Sequence, residues 1–170
     1  MSAQMTPTLL YLDTCIPSAA IRGQFSSSDS EAFTRIADAA RAGQVGLCAS
    51  TVMQEEFQKI PGQYQGPYLE AYSALSQIRG SNITWIDDNP ASTGYLSVQT
   101  DALYSGLRSL LKDEPDARHL FHAKRAGIND VLTIDQQTIL SQATELRVRF
   151  GINVWTPSEF ARQLSTGGAA

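Results

Sequence analysis

At 170 residues, 42% hydrophobic and 18% charged, the chain carries enough apolar material for one core of ordinary size. A formal charge of -4 and a pI near 5.1 exclude a broad basic face for nucleic acid, although a local basic rim survives that average and bound divalent cations would offset it. Cys15 and Cys48 show no CxxC or zinc-ligand spacing, Met1 to Pro7 is no signal peptide, and no apolar run approaches the ~20 residues of a membrane span; a cytoplasmic protein with buried, inert thiols and no membrane attachment is expected.

Thr8 to Leu12 is a short apolar run closing on Asp13 and predicts a buried first strand. A Ser-rich loop follows, up to Ser28-Asp29-Ser30-Glu31, which matches a capping box; Phe33, Ile36, Ala37 and Ala40 then recur at helical spacing until Gly43. Val45 to Ala49 predicts a second strand. Ser50 or Thr51 can cap the next helix, whose stripe of Val52, Met53, Phe57 and Ile60 ends at Pro61. Gly62 to Gly66 reads as a loop, with Pro67 opening a helix through Tyr68, Leu69, Tyr72, Leu75 and Ile78 to Gly80.

Ile83 to Ile86 is the third predicted strand, broken by Asn89-Pro90, and a helix with Leu103, Leu107, Leu110 and Leu111 runs to the turn Lys112 to Glu114. Pro115 opens a helix with Asp116 in its first turn, running through Leu120, Ala123 and Ala126 to Gly127. Val131 to Ile134 predicts a fourth strand ending on Asp135. A helix with Ile139, Leu140, Ala143 and Leu146 closes near Gly151, Ile152 to Trp155 is the fifth strand, and Thr156-Pro157-Ser158-Glu159 begins a last short helix. Strands alternating with helices predict an α/β fold, a mainly parallel five-stranded sheet covered on both faces as a three-layer α/β/α sandwich. One domain over residues 1–164 and a frayed tail from Ser165 to Ala170 are expected.

Asp13, Glu56, Asp116 and Asp135 stand where predicted strands end or helices begin. In an open α/β sheet such positions meet in a crevice beyond the carboxyl ends of the strands, where strand order reverses. Each acid alone is most often a cap or a turn residue; four in one crevice would repel one another and need a divalent cation. Glu56 is preferred to Glu55 because it lies four residues from both Val52 and Ile60, on the inward stripe. Asp116 gains from the positive end of its helix dipole.

With these acids in place, the chain resembles the PIN-domain family of metal-dependent ribonucleases over nearly its whole length. The resemblance rests on Tyr11-Leu12-Asp13-Thr14, on Ser50 through Phe57 with its acid before an apolar residue, on Asp116-Ala117-Arg118-His119-Leu120 through Gly127, on Leu132-Thr133-Ile134-Asp135, and on the closing segment Val154 to Phe160. Cys15 departs from it, since many members carry Asn there. The resemblance implies hydrolysis of RNA phosphodiester bonds, single-stranded or structured, with Mg²⁺ or Mn²⁺. Asp13, Asp116 and Asp135 would bind metal, Glu56 a second ion or a water, and Thr133 would orient the nearest carboxylate. Its toxin-like members imply an antitoxin protein as partner, and a homodimer stays open.

His119 and His122 follow Asp116 at helical spacing; the first reads as a packed, hydrogen-bonding residue and the second as nearer solvent. Lys124, Arg125, Arg147 and Arg149 fit an RNA path or ordinary solvated helix faces equally well. The rivals are an idle PIN-like module that binds RNA or protein, and a receiver-like phospho-acceptor. The receiver would use Asp87, Asp88 and Thr133, but it lacks a Lys after the fifth strand. Thr14 to Ala19 contains no glycine, which sets nucleotide-binding turns aside.

Overall fold

Side chains alternate across a strand, and in this protein that alternation divides the interior into two cores. Leu10, Leu12, Val45, Leu47, Ala49 and Leu132 join one cluster, and Tyr11, Cys48 and Val131 the other. The computed structural model describes residues 6–77, 85–86 and 101–167. Its strands are β1 (Thr8–Leu12), β2 (Val45–Ser50), β3 (Trp85–Ile86), β4 (Asp130–Leu132) and β5 (Asn153–Trp155), all parallel in the order β3-β2-β1-β4-β5. Four of them form the body of the sheet, and β3 adds an edge of 2 residues.

The first core lies under α1 (Cys15–Arg22), α2 (Ser27–Arg41), α3 (Thr51–Gln58), α4 (Gly62–Gln77) and α8 (Pro157–Gly167), through residues such as Ile16, Ile36, Met53, Phe57, Tyr68 and Phe160. The second lies under α5 (Ala102–Leu110), α6 (Glu114–Arg125) and α7 (Ala143–Phe150), through Leu107, Leu120, Phe121 and Leu146. Among the described residues, no helix is long and apolar enough to cross a membrane.

Several boundaries differ from the sequence reading. The expected Ser-rich loop begins with α1: Ile16 and Ala19 are buried, and Pro17 sits in the first turn, where its missing N–H is not needed. The cap of α2 is Ser26, whose Oγ accepts from Asp29 N–H at 3.1 Å and donates to its carboxylate at 2.8 Å, so the capping pair lies two residues before the expected one. α4 starts at Gly62, five residues before Pro67, because Gln65 Nε2 donates to the carbonyls of Gln58 and Ile60 at 2.8 and 2.7 Å and ties the new turn to the end of α3.

β4 stops at Leu132, which places Thr133 to Asp135 in a loop, and a 3₁₀ turn, Leu140–Gln142, precedes α7 where one continuous helix was expected. At the far end the chain stays helical to Gly167, past the expected start of the tail. The start of α8 is as read: Thr156 and Glu159 exchange backbone and side-chain hydrogen bonds at 2.9 and 3.3 Å. Gly80, Asp87, Asp88 and the Asn89-Pro90 break lie outside the described residues.

Candidate functional site

β1 and β4 are neighbours, paired Leu10 with Asp130, Tyr11 with Val131 and Leu12 with Leu132, and they form the point where strand order reverses. Asp13 N–H donates to the Leu132 carbonyl at 3.0 Å, carrying the pairing one residue beyond β1. The Asp13 side chain is buried at the mouth of this switch point. Its Oδ2 accepts from Thr133 Oγ1 at 2.6 Å and from Cys15 Sγ at 2.9 Å. Thr133 Oγ1 accepts in turn from Asp135 N–H at 3.0 Å, and Cys15 Sγ from Ile134 N–H at 3.3 Å. Cys15 is therefore only partly buried and bonded into the site, not an inert core thiol; burial first, and then Asp13, push its pKa well above the ordinary thiol range.

Asp135 lies beyond the end of β4 rather than on it. Its Oδ1 accepts from the N–H groups of Gln137 and Thr138 at 2.8 and 3.0 Å, and its Oδ2 from Thr138 Oγ1 at 2.5 Å, so the carboxylate also holds the following turn.

Glu56 reaches the site from α3. Its Oε2 accepts from Thr14 Oγ1 and meets His119 Nε2 at 2.9 Å, and that nitrogen lies 4.0 Å from Asp13 Oδ1. Glu55 points elsewhere, to a bidentate pair with Arg118 at 3.0 and 3.2 Å. His119 Nδ1 meets Tyr11 Oη at 2.6 Å, and Tyr11 Oη meets Ser50 Oγ at 2.6 Å. Burial alone would raise the Glu56 carboxyl, but the hydrogen bond from His119, then the Thr14 hydroxyl and Lys59, leave it below the usual range.

Asp116, in the first turn of α6, is different. Its pKa is pushed up to about 6, first by burial and then, against a hydrogen bond from Thr138, by the charges of Asp13, Asp113 and Asp135. Its Oδ2 is buried with no hydrogen-bond partner among the described residues.

Thr133 thus bonds Asp13 directly, Glu56 approaches it through His119, and Asp116 feels the charges of Asp13 and Asp135. The structure adds Thr14, Cys15, His119, Tyr11 and Ser50, to which the sequence reading gave no role in the site. Thr14 follows the strand-ending acid directly, and His119 lies three residues after Asp116 on the same helix face, which is the signal that could have found them. His122, expected nearer solvent, is buried and packs edge-on to Phe121.

The fold is similar to that of VapBC2 from Rickettsia felis. The match, to a crystal structure of VapBC2 bound to a DNA fragment from their promoter, has a TM-score of 0.50 at 15% identity and covers 87% of this chain and 98% of that one. Likeness at this level shows the fold, an α/β arrangement with a parallel sheet and helices. No family model and no curated protein matches the chain.

Among the described residues, no three His, Cys, Asp or Glu side chains are gathered as the ready ligands of one ion. That spacing does not argue against a hard cation of the Mg²⁺ type, which keeps several waters and is usually held by one or two carboxylates and the substrate's phosphate. The partnerless Asp116 oxygen, crowded by other carboxylates, fits such a cation: an acceptor without a donor is costly when buried, and positive charge would relieve both the missing partner and the repulsion.

Proposed function

We propose that this protein is a PIN-like endoribonuclease dependent on Mg²⁺ or Mn²⁺ that hydrolyses RNA phosphodiester bonds. The observation that carries the reading is the Asp116 carboxylate at the switch-point crevice, one oxygen unpartnered and its pKa raised to about 6. Asp13, Asp116 and Asp135 are the residues that would hold the cation. When bound, it supplies a more acidic attacking water and offsets charge building on the phosphate.

The protein's own groups prepare this site. Thr133 and Cys15 both bond Asp13 Oδ2, which fixes the plane of that carboxylate and leaves Oδ1 to the crevice. Thr14 and His119 fix Glu56 in the same manner. Asp135 is immobilised by the turn it holds, so its position costs no reordering when substrate arrives.

Similarity in fold to VapBC2, described as an assembly bound to promoter DNA, supports a protein partner for this chain, in the sense of a toxin with its antitoxin. The deciding experiment is RNA cleavage by purified protein with and without Mg²⁺ or Mn²⁺. Cleavage is expected only with the cation, and Asp13→Asn is expected to abolish it while leaving the circular dichroism spectrum unchanged. Equal cleavage by the Asn variant would assign the activity to a contaminant or another site.

A further inference from the structure

His119 stands three residues beyond Asp116 on α6, so the two side chains share one helix face, and its imidazole is buried. A buried imidazole needs partners for both nitrogens, and here each has them on opposite sides of the ring. Nδ1 meets Tyr11 Oη at 2.6 Å; Nε2 meets Glu56 Oε2 at 2.9 Å and Thr14 Oγ1 at 3.0 Å.

The positions of the protons follow by elimination. Thr14 Oγ1 spends its proton on Glu56 Oε2. If a neutral ring carried its proton on Nδ1, then Nε2 would face the Glu56 carboxylate as acceptor against acceptor at 2.9 Å, which is repulsive. The proton therefore sits on Nε2 and points at Glu56. In the neutral ring Nδ1 is then an acceptor and Tyr11 donates to it, while Ser50 Oγ, which accepts from Val52 N–H at 3.3 Å, donates to Tyr11.

We propose that His119 is a positioning residue: Tyr11 fixes its Nε2–H tautomer, and that N–H together with Thr14 anchors Glu56 by Oε2, presenting Oε1 to the crevice beside Asp13. The order Ser50, Tyr11, His119, Glu56 runs across the sheet from the end of β2 through β1 to α6 and back to α3. This inference rests on reading the crevice as a cation-dependent site, and it assigns to this chain's own histidine the task of aiming one of its acids. It parallels the partners that orient ligands around metal centres, whose loss typically lowers affinity or activity about 10- to 100-fold.

The test uses the full chain. Ring ¹⁵N NMR is expected to show His119 as the Nε2–H tautomer, and Tyr11→Phe is expected to produce a mixture of tautomers. His119→Leu is expected to weaken Mn²⁺ binding by calorimetry and to lower kcat, each about tenfold, whereas His119→Gln, which keeps an N–H near Nε2, restores both to within about threefold. An Nδ1–H tautomer or a doubly protonated ring in the parent, or parent-like Mn²⁺ affinity and kcat in a folded Leu variant, overturns the proposal. If the Leu variant does not fold, the parent tautomer and the Tyr11→Phe spectrum decide. If the parent neither binds Mn²⁺ nor cuts RNA, the nuclease reading fails, whereas the tautomer and the Glu56 carboxyl ¹³C shift in His119→Gln still decide whether the histidine holds the acid.

Discussion

Glu56 and Asp116 flank the same Asp13, yet the fold treats them in opposite ways. Glu56 is surrounded by donors, Thr14 and His119 on one oxygen and the Lys59 charge nearby, and burial fails to raise its pKa. Asp116 has acids for neighbours and one oxygen without a partner, so burial and repulsion act in the same direction. The contrast separates two kinds of carboxylate in one crevice: one whose anion the protein already stabilises by hydrogen bonding, and one whose stabilisation must come from outside the chain.

The strongest way to break this division is to remove the acid both halves share. Asp13→Asn is expected to lower the cation-dependent cleavage rate at least about 10²-fold, measured by single-turnover assay on labelled RNA. Thr133→Val removes the hydroxyl that donates to buried Asp13 and accepts from Asp135 N–H. It should cost about 1–2 kcal/mol of stability in urea titration.

The next pair sharpens the contrast by sign. Asp116 has a folded pKa of about 6 against 3.8, so the folded state holds its proton more tightly; stability falls as the pH rises from about 4 to 6 and stays reduced above. Asp116→Asn is therefore expected to raise the Tm at pH 7 by about 2–4 °C, after discounting for solvent screening, with no gain at pH 4. Mn²⁺ should stabilise the parent but not this variant. Glu56 has the reverse linkage: its pKa is lowered, so its contribution is present above the ordinary carboxyl range and is lost as the pH falls through the lowered value. Glu56→Gln is expected to lower the Tm at pH 7, and a rise would erase the distinction. The smallest effect belongs to the rim: Glu55→Gln breaks a half-exposed pair with Arg118 and should change stability by less than about 0.5 kcal/mol, leaving cleavage unchanged.

Much of the arrangement could be read from one-dimensional pattern because the signals were local. The run ending on Asp13, the Ser50 cap and the Thr156–Glu159 box each set an element boundary with their own side chains. Where reading failed, a distant contact overruled local signals. Pro67 looks like a helix start, but Gln65 reaches back to α3 and draws the helix forward by a turn. Thr133 and Ile134 have strand-forming side chains, yet Thr133 is drawn to Asp13, 120 positions away, and the loop opens early. His119 was legible as a buried, bonded residue. Its partners were not, because Tyr11 and Glu56 meet it only after β1, α3 and α6 are assembled.

β1 lies in the middle of the sheet while its acid partners are spread along the chain, with Thr133 and Asp135 arriving only after β4. A polypeptide emerging from the ribosome therefore carries Asp13 and Glu56 through the synthesis of α4, α5 and α6 before the strand that completes the crevice appears. Whatever chemistry the finished molecule performs, its nascent form is disarmed by topology until β4 and the loop after it are in place.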